Sequence, residues 1–279
     1  MKVSETKNRT VGSSPFQLFT HDDRLNEYHE EVVVWSKELL KTEALFYTFE
    51  VKERFEMDYI PDACVNFFFA ANGKRVKGYF IGILTKAYKM TFEPGVLYFG
   101  LKPYTNVGLR CFEKDQSRLI DHVIPLEEQF ADAEGLIREL SDVSTLKKRK
   151  DFLLDHHREM LLDETKRSVL AEYLSVLLCT ETPALSMEKM GRETGYSERY
   201  TQRLFRKEIG ITPKLYSRII RFQNAIKAIY EDEDNTLAKV AYQLGYYDQA
   251  HLIHEFQFFA QLSPTRLLQT IQSNKQVVV

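Results

Sequence analysis

Apolar positions spaced three and four apart, the mark of a one-sided helix, run through residues 185–264 in a pattern that is written twice. Met190-Gly191-x3-Gly195-Tyr196 recurs fifty residues later as Val240-Ala241-x3-Gly245-Tyr246. Phe205, Thr212 and Pro213 recur after fifty-one as Phe256, Ser263 and Pro264, so Tyr247 is an extra residue in the second turn. This is an internal repeat of one supersecondary unit. In the first copy Ser186 is an N-cap for a helix Met187–Thr194, and Gly195 supplies the left-handed stop. Ser197 then caps a helix Glu198–Ile209, closed by Gly210, and Pro213 opens a long helix running to about Tyr230. The second copy repeats the plan with Thr236, Gly245 and Asp248, but Gln261 stands where Gly210 stands, so its stop is expected to be poorer or built differently. The two helix-turn-helix units span 186–210 and 236–260.

Ahead of the repeat the pattern is different. Residues 1–20 read as a polar tail, and 21–40 carry both strand and helix signals. Strands are expected over 43–52, 57–60, 64–70, 76–84, 87–92 and 96–102, with turns at Pro61-Asp62, Asn72-Gly73 and Pro94-Gly95. Six short strands at this spacing suggest a small antiparallel β barrel or sandwich. Alternation should turn inward about half of its aromatics Phe67, Phe68, Phe69, Tyr79, Phe80, Tyr88, Phe92, Tyr98 and Phe99. Helical stretches follow over 107–112, 125–130, 133–140, 146–163 and 165–179. The expected fold class is an α+β N-terminal domain, 1–163, followed by an all-α double helix-turn-helix domain, 164–279.

The outer faces of the repeated second helices carry the chemistry. Tyr200, Thr201, Leu204 and Phe205 fall on one side of the first; Arg199, Gln202, Arg203 and Arg206 form a stripe on the other. Arg and Gln present forked donors and acceptors that match guanine and adenine edges, and cations meet phosphates. Carrying the register across puts Ala250, Ile253, His254 and Gln257 on the second stripe, with Leu252, Phe256 and Phe259 inward. That stripe is uncharged when His254 is neutral. The first unit is therefore expected to read most of the bases, with weaker contacts from Gln249, His254 and Gln257.

A net charge of −2 first argues against nucleic acid, but the charge is divided. Residues 1–163 hold 23 basic and 27 acidic groups, and residues 164–279 hold 15 and 13. Over 185–230 the count is 10 to 4. Attraction to phosphate acts over a Debye length of about 8–10 Å, so the local excess matters more than the total.

On these residues 185–268 resemble the DNA-binding domain of the AraC/XylS family of bacterial transcription regulators. The match is carried by the segment from Gly245-Tyr246-Tyr247-Asp248 through Phe256 to Leu262-Ser263-Pro264, and by its partner from Gly195 to Pro213. The resemblance implies two units joined by a linker helix and entering successive major grooves of duplex DNA, with Arg199, Gln202, Arg203 and His254 on base-contacting positions. Gly191 and Gln261 depart from the usual alanine and glycine. Tyr59-Ile60-Pro61-Asp62-Ala63-Cys64 and Tyr98-Phe99-Gly100-Leu101-Lys102-Pro103 are similar to the sensor domain of one AraC-type subgroup, with Ala63 in place of a glycine. That likeness implies sensing of a small-molecule effector or dimerisation.

Other classes find less support. His156 and His157 lack the spacing of a zinc pair, the expected strands contain no histidine, and no glycine-rich phosphate loop or nucleophile elbow occurs. Neither a catalytic residue nor a metal or cofactor is expected. Cys64, Cys111 and Cys179 read as thiols of a reducing cytoplasm, and the run Lys147-Lys148-Arg149-Lys150 as a solvated helix start. No apolar run suits a signal peptide or a membrane span. The expectation is a cytoplasmic transcription regulator, such as an activator, that binds promoter or operator DNA and acts on RNA polymerase. An effector and a homodimer through the N-terminal domain go with it. The competing reading is a ligand- or protein-binding module whose repeat is structural.

Overall fold

The computed structural model describes residues 17, 24–37, 40–104, 116–130, 132–143, 145–155, 168–180, 187–232 and 235–274. The N-terminal strands are β1 (Leu25–Lys37), β2 (Leu40–Val51), β3 (Phe55–Tyr59), β4 (Asn66–Asn72), β5 (Arg75–Ile81), β6 (Tyr88–Phe92), β7 (Leu97–Pro103) and β8 (Val123–Pro125). They form an antiparallel six-stranded sheet, ordered β1-β2-β7-β4-β5-β8, and a two-stranded sheet β3-β6. The six expected strands are present. The ambiguous stretch 21–40 resolves as β1, paired to β2 along most of its length, and β8 is an addition that too short a segment concealed. At the β4–β5 turn Asn72 pairs Arg75, and Gly73 takes φ 57°, which glycine adopts without a Cβ clash.

The large sheet is covered on both faces. On one side Phe67 and Phe80 meet Phe130, which caps α1 (Leu126–Gln129), beside α2 (Ala133–Asp142) with its buried Leu136 and Leu140. Gly78 is small because a Cβ there would collide with the Leu126 side chain. On the other side Phe49, Phe68 and Tyr98 pack against Phe92 of the β3–β6 sheet. Seven of the nine strand aromatics are therefore buried, more than the half that alternation predicts, because helices occupy the face alternation would leave to water. In α3 (Leu146–Asp155), Arg149 is buried and donates to the carbonyls of Leu140 and Gly73, and Lys150 pairs with Glu31. This corrects the reading of a purely solvated basic run: the two cations tie α3 to the sheet.

One buried polar cluster organises the loop between β3 and β4. Lys102 and Asp62 form an ion pair at 2.5 Å with side chains only 1% and 2% exposed. Asp62 also accepts from the Cys64 amide (3.0 Å) and from Gln17 Nε2 (2.8 Å). Gln17 bonds both backbone groups of Ile60, so this residue of the expected polar tail is instead an anchor inside the fold. Asn66 donates to Tyr47 Oη (2.6 Å). Burial of charge costs several kcal/mol per ion unless it is paired and hydrogen-bonded, and the Asp62 carboxylate is met by Lys102, the Cys64 amide and Gln17. Burial pushes the Tyr47 hydroxyl up to about 12, opposed by the nearby Lys102 ammonium and the Asn66 hydrogen bond. Burial is the largest influence on the Lys102 ammonium and would lower it, but Asp62, Cys64 and Tyr47 together hold the group above its ordinary value. Ala63, next in the loop, sits at φ 61°, the left-handed region that a glycine would enter more cheaply.

The C-terminal part is all helix: α4 (Val169–Thr180), α5 (Met187–Thr194), α6 (Glu198–Ile209), α7 (Pro213–Glu231), α8 (Leu237–Gln243), α9 (Gln249–Phe259) and α10 (Pro264–Asn274). α4 to α9 agree with the expected helices, and α10 is an addition. The expected cap Ser186, the stretch 107–112, Cys111, the pair His156-His157 and the boundary near Asp163 lie outside the described residues. Within the described residues no helix is long and apolar enough to cross a membrane.

Candidate nucleic-acid interface

Each unit is a helix, a tight turn and a second helix, and both are seated on α7. Ser197 accepts from the Tyr200 amide at the start of α6, and Asp248 accepts from the His251 amide at 2.7 Å at the start of α9. Each such cap is worth roughly 1 kcal/mol. Gly195 and Gly245 take φ 72° and 67° in the turns, and Gly210 takes φ 94° after α6. After α9 the equivalent left-handed position is filled by Gln261, φ 58°, so the repeat keeps the backbone geometry and changes only the residue.

The inward faces are aromatic. Phe205 of α6 meets Tyr216 of α7 edge to face at 5.3 Å. One repeat later Phe256 meets Phe222 of the same helix at 5.1 Å, and Phe259 meets it at 5.1 Å. Burying each such ring contributes roughly 1.5–3 kcal/mol, so α7 is a common spine for both units. Polar contacts fix their rotation. Arg218 of α7 forks onto Glu255 of α9, and Arg221 donates to the Gly245 carbonyl at 3.1 Å while stacking on Tyr246.

With the inner faces so occupied, the outer faces are open. Arg199, Gln202, Arg203 and Arg206 are all exposed on α6, as are Gln249, His254 and Gln257 on α9. Leu252, Phe256 and Phe259 are buried, as the register predicts. Tyr200 departs from expectation: it stands exposed at the edge of the stripe rather than with Thr201 and Phe205. It stacks on Tyr196 at 4.9 Å, and the Arg203 guanidinium lies 5.8 Å from its ring. Gln202 donates to Glu198 at 2.9 Å. The stripe is thus held partly in place by its own neighbours, a tyrosine ledge that helical spacing alone did not mark as exposed.

Residues 190–270 match the family of a helix-turn-helix domain. The match spans both units and the linker helix between them. Among solved structures the chain is similar to the C-terminal domain of AraT, a response regulator from Geobacillus stearothermophilus. That likeness has 19% identity and a TM-score of 0.35, and covers 37% of this chain and 86% of that one. A DNA-binding transcriptional dual regulator from Escherichia coli K-12 matches at 18% identity and TM-score 0.32 over 36% and 93% of the two chains. A longer match is to wild-type ToxT from Vibrio cholerae strain SCE256 with unsaturated fatty acid bound, at 10% identity and TM-score 0.44 over 85% and 99%. No curated protein matches the chain.

The helix-turn-helix domain is also gripped from the N-terminal side, by contacts no motif announces. The Ala87 amide, just ahead of β6, donates to the Phe259 carbonyl at the end of α9 (2.7 Å), and the Lys86 ammonium lies 5.8 Å from the Phe258 ring. Gln223 of α7 donates to the Pro61 carbonyl at 2.7 Å. A 3₁₀ turn, Gln116–Leu119, lies against α6, and its Leu119 carbonyl crowds Gly82 so closely that a Cβ there would collide. Both second helices and the spine between them thus touch the sheet region.

Proposed function

We propose that this protein is a sequence-specific DNA-binding transcription regulator in which α6 does most of the base reading and α9 makes weaker contacts. The carrying observation is that Arg199, Gln202, Arg203 and Arg206 all stand exposed on one face of a capped helix whose other face is buried. Arg199, Gln202 and Arg203 are assigned to base edges, and Arg206 to a base or phosphate at the far end of the stripe. Gln249, His254 and Gln257 form the lesser reading surface of α9. Promoter or operator DNA is the partner, RNA polymerase the target, and the N-terminal region the receiver of a small-molecule signal or of a second copy. The contacts through Ala87, Gln223 and the 3₁₀ turn support that division of labour, since they give the sheet region a physical hold on both reading helices.

The test is a titration of duplexes selected from a random pool, matched and mismatched, at fixed salt. Arg203→Ala should cost about 1–3 kcal/mol and relax base preference at one position. His254→Ala should cost less. A loss from Arg203→Ala that is equal for every sequence would confine Arg203 to phosphate, and a larger loss from His254→Ala would reverse the ranking of the two units.

A further inference from the structure

The β4–β5 hairpin and β6 border a trough of about 1010 Å³ on the Phe68–Tyr98 face of the large sheet, beside the part that the β3–β6 sheet covers. Its volume is at the upper end of the roughly 300–1,000 Å³ of small-molecule pockets. The floor and wall are apolar and aromatic: Phe68, Tyr79 and Tyr98 from the large sheet, Tyr88 and Met90 from β6. Phe68 and Tyr98 stack at 5.7 Å, so the floor is a flat and rigid surface. Strand pairing sets Ala70 opposite Lys77 and Asn72 opposite Arg75, on the same face as the pair Phe68 and Tyr79. The cations Lys74, Arg75 and Lys77 therefore collect along one lip, and Lys89 stands on the other.

The charge in this trough is unbalanced. Glu93 is the one carboxylate among the lining residues, and it is engaged by Arg54 at 2.9 Å. Lys89 has a distant partner in Glu56 at 3.7 Å. Lys74, Arg75 and Lys77 are exposed and make no ion pair with any described residue. Cations around a sheltered aromatic floor complement a molecule with an anionic head and an apolar body. Arg75 supplies the fork that grips a carboxylate or sulfonate in two places, and the lysines add point charge. Nucleic acid would explain the cations but not the floor, since phosphate contacts call for charge without an apolar recess.

We infer that the trough between the β4–β5 hairpin and β6 binds a small organic anion with a flat or apolar body, held by Arg75, Lys77 and Lys74 over Phe68, Tyr79 and Tyr98. The inference rests on the regulator reading for its purpose and names the site and class of its signal. It also places the ligand beside the route to the reading helices, because Tyr88 of the trough wall directly follows Ala87, whose amide holds the end of α9.

The probe is anilinonaphthalene sulfonate, titrated into the full chain and followed by its fluorescence, with phenylbutyrate and the neutral phenylbutanol as competitors. One saturable site is expected, with phenylbutyrate displacing the probe at least tenfold better than the alcohol. The double variant Arg75→Gln with Lys77→Gln should weaken both anions by about tenfold, with an unchanged melting temperature, whereas Lys147→Gln on α3 should leave binding as it was. Equal competition by the alcohol, or full binding by the double variant, overturns the inference. So does a double variant that keeps the anion and loses DNA, since the cations would then serve phosphates. No step of the binding assay contains DNA, so an inert trough leaves the reading of α6 intact, and a chain that reads no operator leaves an observed anion site intact.

Discussion

Arg218 and Glu255 form a forked ion pair between the linker helix and the second reading helix, with Nη2 to Oε1 at 2.8 Å and Nε to Oε2 at 3.1 Å. Glu255 is buried, and the guanidinium lies against the rings of Phe258 and Phe259 at 4.8 and 5.2 Å. The pair sits on the inner side of α9, opposite the exposed His254 and Gln257, so it sets the rotation at which that stripe faces outward.

Removing Arg218 leaves the Glu255 carboxylate buried without compensation. Arg218→Ala should destabilise the chain by about 3–5 kcal/mol, read from the urea midpoint. Arg218→Lys should recover only part of the wild-type stability, because an ammonium cannot fork onto both oxygens. Full stability in Arg218→Lys would reduce the pair to simple charge attraction.

The stops of the two reading helices give predictions of opposite sign. Gly210 and Gln261 hold φ 94° and 58° at matching places in the repeat. Gly210→Gln should cost about 1–2 kcal/mol, and Gln261→Gly should gain about 0.5–1 kcal/mol by relieving left-handed strain. Thermal or urea unfolding of both variants is the measurement. A loss in both would mean that the long contact of Gln261 Nε2 with the Ala87 carbonyl, at 3.5 Å, outweighs the backbone term.

Gln223 ties the spine to the loop that Asp62 and Lys102 organise. Gln223→Leu keeps the volume but leaves the buried Pro61 carbonyl without this donor, at an expected cost of about 1–3 kcal/mol. Hydrogen exchange should quicken in 59–66 and along the middle of α7, and remain unchanged in α9 and α10. Faster exchange confined to α7 would show that the bond steadies the helix without coupling it to the sheet.

The same cluster should make the fold sensitive to alkali. Tyr47 is raised from 10.0 to about 12 by burial, and burial likewise raises Cys64 and Tyr59. Lys102, held up by Asp62 against the opposing effect of burial, shifts in the same direction. A group raised in the folded state holds its proton more tightly there than in the unfolded chain. Its contribution is complete below the unfolded value and disappears as pH climbs through the folded one. Stability attributable to Tyr47 should therefore fall between pH 10.0 and about 12, by roughly 2–3 kcal/mol. Urea midpoints taken across that range should decline less steeply for Tyr47→Phe, and an identical slope would clear Tyr47 of the effect.

What could be read from the chain alone was whatever is local or periodic. Caps, glycine stops and a 3.6-residue stripe are written in neighbouring residues, so α5 to α9, their turns and the outward set from Arg199 to Gln257 were legible before any coordinates. The strand segments from β2 to β7 were legible for the same reason, since turn residues and β-branched or aromatic runs punctuate them. Three things depended on distant partners and were not. Alternation could not tell that helices would cover the second face of the sheet, so the burial of Phe67, Phe69, Phe80 and Phe99 exceeded its half. Composition could not single out Arg149 and Gln17, because both owe their burial to carbonyls or carboxylates far along the chain. Nor could any motif place Ala87 on Phe259, Gln223 on Pro61, or three cations on the lip of one aromatic trough. Those meetings are set by how the sheet settles against the helices, which only the folded chain decides.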